Sequence, residues 1–366
     1  MKTIIKREQL LHPLQQIIGA VERRQTLPIL GNVLIKANQG KISLTATDLE
    51  IEMISTVETS SADDFQTTLP ARKLLDICKA LPEESDISLN IEPNRAVLVT
   101  GRSRFTLSSL PAPDFPLLDE ITSVTSFTIP QKRLKNLLEK TAFAMAQQDV
   151  RFYLNGILLE ISSDKLKLVA TDGHRLALGE YGISTGVDEE KQIIIPRKGV
   201  LELARLLDNT DGEVRVSLSQ NHIRVEWESL TFTSKLIDGK FPDYNRVIPV
   251  DGNRVLEVNR EALKSSLHRI AILSNEKYRG IRLALAVGNL SIQANNPDQE
   301  EAEEEIPVSY DDAEMEIGFN VTYLIDVLNV LGSENVVVRL KDANSSCVMN
   351  DPNDPTSLYV VMPMRL

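Results

Sequence analysis

Hydrophobic positions along the chain follow two rhythms, and the order of the rhythms repeats. Segments 32–35 and 42–48, 156–159 and 166–172, and 280–283 and 290–296 alternate apolar and polar residues with period two, the spacing of half-buried strands. Each pair brackets a polar turn, at 38–40, 162–164 and 287–289, and so reads as a hairpin. The three hairpins align without gaps at a spacing of 124 residues, with Ala46, Ala170 and Ala294 equivalent. Ahead of each hairpin the period lengthens to that of a helix, over about 7–24, 130–148 and 259–274. The one-sided stripes are Leu10, Leu14 and Ile17, then Leu134, Leu138 and Thr141, then Leu263, Leu267 and Ile270. A second helix follows in each unit, at 71–81, 197–207 and 320–331. Pro130 suits a helix start. Pro13 is tolerable if it falls in the first turn, where a missing N–H costs little.

Each repeat therefore runs helix, hairpin, strands, helix, strands. This predicts an α+β fold of three tandem similar domains, 1–124, 125–250 and 251–366, each with two helices on antiparallel sheets. A triplication of this kind builds a continuous surface or a closed ring, because each copy repeats its neighbour contacts.

Composition adds limits. The 366 residues are 42% hydrophobic and 25% charged, as in a soluble globular protein. No apolar run reaches the roughly 18 residues of a membrane helix, and the N-terminal stretch MKTIIKREQLLHPL lacks the apolar core of a signal peptide, so a cytoplasmic protein is expected. Two cysteines, Cys78 and Cys347, are too few for a disulfide framework or a structural zinc site; they read as ordinary buried thiols, and no metal or cofactor is expected.

The net charge of −12 argues against nucleic-acid binding until it is resolved by element. Counted over 5–24, 71–81, 130–148, 197–207, 259–277 and 320–331, the six helical windows hold 18 basic and 8 acidic residues, a net +10, which leaves −22 for strands and loops. That segregation suits a helical face that meets phosphate and an outer face that repels it, although the window 320–331 carries only Asp326. No zinc-finger spacing, heptad-linked basic region or arginine-rich arm is present, so contact with the DNA backbone and without base readout is expected.

The acidic run DQEEAEEE at 298–305 finds a natural partner in the basic, strand-like RSRFTL at 102–107, with Lys73 nearby. First-unit cations meeting third-unit anions give head-to-tail association. Two chains then close a ring of six domains lined by twelve helices, with Ile272 and Leu273 adding the apolar component that rim charges lack. The chain ends LYVVMPMRL at 358–366: a core strand over 359–362, then a Met-rich end suited to an adaptable peptide site.

The segment TDGHR at 171–175 raises a rival reading, an enzyme using Asp172 and His174 as a metal pair or general base. The first repeat has TDLE at 47–50, with no histidine, and no nucleophile motif accompanies either copy. A monomeric peptide-binding scaffold without a DNA role is a further alternative.

Several stretches together resemble the bacterial DNA polymerase III β subunit, the sliding clamp, and the proteobacterial members most. They are TLPILGN at 26–32, ATDLE at 46–50, PARK at 70–73, GRSRF at 101–105, QDVR at 148–151, YLNG at 153–156, VATDGHRLA at 169–177, PRKG at 196–199, FPDY at 241–244, ILSNEK at 272–277, NNP at 295–297 and YVVMPMRL at 359–366. The resemblance implies a non-catalytic processivity factor with the DNA-clamp fold and no cofactor. It implies a homodimeric ring that encircles double-stranded DNA without sequence preference. It implies a shared pocket for a short Gln- and Leu/Phe-bearing motif of the polymerase III catalytic subunit, the clamp loader, other polymerases and repair proteins. The loader must supply the ATPase, since the chain has no Walker A motif. Carried over residue by residue, the pocket falls on Leu154, Thr171, Gly173, His174, Arg175, Leu176, Pro242, Arg246, Val247, Tyr323, Val360, Met362, Pro363, Met364 and Arg365, with arginines fixing the peptide's orientation. DNA contacts fall on Arg24, Arg72, Gln148, Tyr153 and Lys198. Dimer contacts fall on Lys73, Arg102, Arg104, Leu107, Ile272, Leu273, Glu300, Glu301 and Glu304. The stretch NDPNDP at 350–355 has no match in this resemblance and reads as an exposed turn.

Overall fold

The computed structural model describes residues 2–22, 27–59, 64–118 and 125–365. Among them are six α-helices: α1 (Arg7–Ile17), α2 (Ala71–Ala80), α3 (Gln131–Thr141), α4 (Arg197–Leu206), α5 (Arg260–Ile270) and α6 (Val321–Val330). They alternate with antiparallel strands in the order the two rhythms predict. The chain forms two compact units, 1–132 with 201–236 and 133–200 with 237–366.

Each unit is built on an eight-stranded sheet that takes strands from two repeats. In the first unit the order is Phe65–Pro70, Asn32–Asn38, Lys41–Thr47, Ile51–Glu58, Leu230–Lys235, His222–Trp227, Glu213–Leu218, Thr125–Pro130. The seam between repeats sets Met53 opposite Phe232. In the second unit the order is Lys191–Pro196, Gly156–Ile161, Lys165–Thr171, Arg175–Gly182, Asp354–Val361, Cys347–Asp351, Asn335–Leu340, Arg254–Asn259. Its seam sets Ala177 opposite Tyr359. Met53, Phe232, Ala177 and Tyr359 are all fully buried, so both seams are core as well as hydrogen-bond ladder. Each unit adds a four-stranded sheet: Lys2–Lys6, Asp86–Glu92, Arg95–Thr100 and Ser103–Ser108 in the first, and Glu301–Pro307, Asn289–Asn295, Gly280–Ala286 and Met315–Asn320 in the second.

The predicted stripes face the core: Leu10, Leu14 and Ile17 on α1, Leu134, Leu138 and Thr141 on α3, and Leu263, Leu267 and Ile270 on α5 are buried. Thr141 tolerates this because its hydroxyl donates to the Leu137 carbonyl at 2.7 Å. Both cysteines are buried, and desolvation pushes each thiol up to about 12.

Three expectations change. The first helices are shorter than their apolar periods, because each tightens into a 3₁₀ turn: Ile18–Ala20, Ala142–Ala144 and Ala271–Leu273. Beyond the second of these, Gln148 has a φ of +56°, which no α-helix accommodates. Pro13 is not in the first turn. The strand Lys2–Lys6 runs directly into α1, the Lys6 N–H donating to Gln9 Oε1 at 3.0 Å, so the helix starts at Arg7 and Pro13 lies in its middle. An interior proline removes the N–H that the Gln9 carbonyl would accept, a loss of about 3 kcal/mol; its ring lies on the buried face with Leu10 and Leu14.

The 350–355 segment is not merely an exposed turn. Asp351, only 8% exposed, accepts hydrogen bonds from the backbone N–H groups of Gly332 (2.9 Å), Ser333 (3.1 Å) and Asn353 (2.9 Å), and from the Ser333 hydroxyl. It thereby closes the end of α6. Asp354 takes an ion pair from Lys140 on α3 at 2.5 Å. Burial alone raises the Asp351 carboxyl, but these donors outweigh it and hold it below its ordinary value.

Asp351→Ala leaves the Gly332 and Ser333 N–H groups without their acceptor, at about 1–3 kcal/mol each where they stay dry. The thermal unfolding midpoint of the variant should fall at neutral pH. A carboxyl lowered by folding contributes stability above its unfolded value and loses it as pH falls. The gap between wild type and variant should therefore narrow as the pH drops through the carboxylate range. A gap that is absent at pH 7, or constant down to pH 3, would contradict this account.

Candidate functional site

The site is built on a turn that recurs between repeats. In the second repeat, Thr171 Oγ1 donates to the Arg175 carbonyl at 2.6 Å and accepts the Gly173 N–H at 3.1 Å. Asp172 Oδ1 accepts the N–H groups of His174 and Arg175 at 2.9 and 3.0 Å. In the first repeat Thr47 and Asp48 make the same bonds to Ile51, Leu49 and Glu50. The third turn residue is left-handed in both, Leu49 at φ +76° and Gly173 at φ +88°. The Thr-Asp pair is thus a hairpin-to-strand connector, and the Asp172 carboxylate is spent on it rather than on catalysis. Glycine relieves at 173 the left-handed strain that Leu49 bears, and a Cβ there would also lie 3.1 Å from the Arg151 guanidinium, which pairs with Asp149 and holds that carboxyl down to about 2.

Arg175 follows the turn and is satisfied within the chain. Its Nε donates to Asp172 Oδ2 (3.1 Å), one terminal nitrogen to Asp326 Oδ2 (2.5 Å) and the other to the Phe143 carbonyl (2.7 Å). The guanidinium stacks over Tyr323 at 4.6 Å and Phe143 at 5.3 Å, and its side chain is 11% exposed. Its charge is thus balanced within the chain by two carboxylates, whereas Arg246, whose side chain is 84% exposed and pairs with Asp243, and Arg365 are open to solvent. Tyr323 lies between Arg175 and His174, its ring stacked on the imidazole at 6.3 Å. Burial, then the Asp172 carboxylate, pushes the phenol up, so it stays a neutral donor at physiological pH.

Leu154, Leu176 and Val360 share one buried cluster with Phe241 and Tyr244, so the structure brings these predicted pocket residues together. Pro242, Arg246 and Val247 are exposed beside it, on the segment that follows Phe241. The tail divides. The Met362 N–H donates to the His174 carbonyl at 2.9 Å, whereas Met364 donates to Gly318 at 2.9 Å, on the strand Met315–Asn320. Pro363, Met364 and Arg365 therefore line a neighbouring cleft of about 460 Å³ with Arg282, Glu316, Ile317, Gly318 and Asn344, none of which sequence reasoning found. Nor did it find Phe143, Phe241, Tyr244 or Asp326. Of these, Asp326 had a visible signal, as the sole charge in its helix.

Of the DNA-contact residues, Gln148, Tyr153 and Lys198 lie on segments that the structure ties together. The Asp149 N–H binds Asn155 Oδ1 at 2.9 Å and the Asn155 carbonyl accepts the Arg197 N–H at 2.9 Å, which ties the 148–155 loop to the start of α4. Gln148 is exposed, and Tyr153 packs its ring partly on the Leu154 cluster. Arg72 is exposed on α2, and Arg24 lies outside the described residues. Among the dimer residues, Lys73, Arg102, Arg104, Glu300 and Glu301 are exposed, and Ile272 is 76% exposed. Leu273 is half-buried, and Leu107 sits in its own repeat's core at 7%. Glu304 is already engaged, by Arg269 of the same chain. Among the described residues no three potential metal ligands gather.

Tandem α+β repeats fused through their sheets, with the Asp172 carboxylate consumed by its turn, are the architecture of a clamp-type subunit. Family models of the DNA polymerase III beta subunit match along the chain: the N-terminal domain at 1–119, the central domain at 128–243 and the C-terminal domain at 245–365. The chain is 53% identical to the beta sliding clamp of Pseudomonas putida and 51% identical to that of Escherichia coli K12, in each case over all of both chains. A crystal structure of the Pseudomonas aeruginosa sliding clamp bound to griselimycin superposes with a TM-score of 0.96 at 53% identity, again over all of both chains. The chain belongs to the DNA polymerase III beta subunit family, and it is a non-catalytic processivity subunit.

Gly173→Ala should lower the unfolding midpoint, since an alanine at that φ costs about 1–2 kcal/mol and Arg151 must also shift. Differential scanning fluorimetry checks it. A midpoint equal to wild type would mean that the turn is not constrained as described.

Proposed function

We propose that two copies of this chain close head to tail into a ring of six domains, 1–124, 125–250 and 251–366 in each copy. The ring encircles duplex DNA and carries polymerases, the clamp loader and repair proteins by a short motif held beside His174 and Tyr323. The pattern of strand edges supports this most. The strand Ile51–Glu58 pairs with Leu230–Lys235, and its repeat equivalent Arg175–Gly182 pairs with Asp354–Val361. The third copy of the first kind is Glu301–Pro307, and the remaining copy of the second kind is Ser103–Ser108. Both are sheet edges. Joining them between two chains repeats the same seam and leaves neither edge open. Exposed Glu301 on one edge and Arg104 on the other give the pairing its polarity, and Ile272 adds apolar area.

Gln148, Tyr153 and Lys198, with Arg72 and Arg24, would touch the DNA backbone without reading bases. Weak phosphate contacts suit a ring that must slide, because tight ones would brake it. Partner motifs would lay apolar anchors on the Leu154–Leu176–Val360 cluster, with Arg246 and the tail at its rim. Work on chromosomal DNA places the ring in the cytoplasm. The griselimycin complex of the Pseudomonas aeruginosa clamp supports a ligand site on this fold.

The assembly should run at twice the 40.8 kDa chain mass, stay on nicked circular DNA and leave after linearisation. Replacing Ile272 and Leu273 with Ala should shift the mass toward monomer and abolish retention on the circle. Equal loss of the wild-type protein from both DNA forms would remove the tether mechanism.

Deleting residues 362–366 should abolish binding of a Gln- and Leu-Phe-bearing peptide, followed by fluorescence anisotropy, while leaving the dimer mass unchanged. Retained affinity would place the pocket elsewhere.

A further inference from the structure

We propose that Asp326 is a positioning residue for the peptide site: it holds Arg175 in place and, through it, the Tyr323 ring against His174. This rests on the reading of that cleft as the partner site. α6 (sequence VTYLIDVLNV) carries a single charged residue, Asp326. Tyr323 and Asp326 stand three residues apart, on one helix face. The carboxylate meets Arg175 at 2.5 Å, and the same guanidinium covers the Tyr323 ring at 4.6 Å. The arginine is thus clamped from the helix at two points and from its own turn by Asp172 at 3.1 Å.

The other repeat seam shows what happens without this arrangement. Glu202 is the counterpart of Asp326 at the 124-residue spacing, and it has a cation on its own helix, Arg205 at 2.8 Å. Arg205 in turn caps the Gln16 carbonyl at 2.6 Å. The counterpart of Arg205 on α6 is Asn329, which is neutral, and the counterpart of Arg175 in the first repeat is Ile51. At the second seam the acid therefore has no cation on its own helix to bind and reaches the arginine of the Thr-Asp turn instead. A partly buried guanidinium stripped of one of two carboxylates keeps its charge and must seek water or another acceptor. Its hold on the tyrosine plane is then lost.

Binding of the Gln- and Leu-Phe-bearing peptide tests this, with dimer mass and thermal midpoint measured alongside. Wild type must bind, and must lose binding when 362–366 are removed; otherwise the cleft reading itself fails, whatever Asp326 does. Given that binding, Asp326→Asn should weaken the peptide about tenfold, as expected for one charge-assisted hydrogen bond. Asp326→Glu should recover most of the loss. In an Arg175→Gln background, Asp326→Asn should add less than about twofold, because the two act as one unit. Asp326→Asn binding as well as wild type would overturn the proposal. So would an undiminished loss in the Arg175→Gln background, or a loss that tracks a fall in the thermal midpoint and is not rescued by Glu.

Discussion

A strand edge presents a row of N–H and C=O groups that must be paired, covered or solvated. Three similar α+β repeats in tandem carry such edges in a fixed order, and the chain resolves two of the junctions by fusing sheets. Met53 opposite Phe232 and Ala177 opposite Tyr359 are fully buried, so separating either seam would cost ladder bonds and core burial together. The same two kinds of strand recur as the sheet edges Ser103–Ser108 and Glu301–Pro307. Both are strongly polar: Arg104 and Thr106 are exposed on one, Glu301, Glu303 and Glu305 on the other. Like charge along an edge discourages pairing with a copy of itself, and opposite charge favours the complementary edge. In the proposed ring, edge chemistry would favour head-to-tail association over head-to-head, with no element beyond those that build the repeat.

The two seams differ in what they leave open. Position 19 is glycine at the first seam, and the Glu202 carboxylate occupies the space a side chain there would need. Its equivalent at the second seam is Phe143, whose carbonyl and ring both bind Arg175. At the first seam the strand Leu230–Lys235 continues into the following segment, whereas at the second the matching strand ends in the tail, with Met362 bonded to His174 and Met364 to Gly318. The tail segment thus lies against both the Thr-Asp turn and the strand Met315–Asn320, beside an α6 whose acid pairs with Arg175.

Much of this was legible because it is periodic. Hairpins, helix stripes and their 124-residue spacing depend on local apolar rhythm, and Leu10, Leu14 and Ile17 faced the core as that rhythm demanded. Helix ends were not legible, because the apolar stripe continues through the 3₁₀ turns that stop the helices. The start of α1 at residue 7 agrees with the apolar period, which leaves Pro13 in the helix middle, where propensity disfavours it. The pocket residues Leu154, Leu176 and Val360, which resemblance supplies, share a cluster, and that Pro363–Arg365 also line a cleft with Gly318 depends on where the tail meets that strand. On composition alone the 350–355 stretch reads as an exposed turn. Composition could not reveal that Asp351 closes the end of α6 or that Asp354 reaches Lys140. Long-range polar pairing is the part of a fold that single-sequence pattern does not encode.

The same lesson modifies the charge argument. A helical surplus of +10 suggested a surface crowded with free cations. Many of those cations are employed inside the chain: Arg7 on the Cys78 carbonyl, Arg205 on Gln16, Arg260 on Leu331, Arg197 on Met145, Lys140 on Asp354 and Arg269 on Glu304. An arginine that caps a carbonyl keeps its charge and still contributes to the potential within about 10 Å at moderate salt. What it loses is the freedom to follow a phosphate and grip it. A ring that must be attracted to DNA and yet move along it needs that separation of field from grip. Basic side chains bound to backbone carbonyls achieve it while stabilising the C-terminal ends of neighbouring helices: Arg7 that of α2, Arg205 that of α1 and Arg260 that of α6.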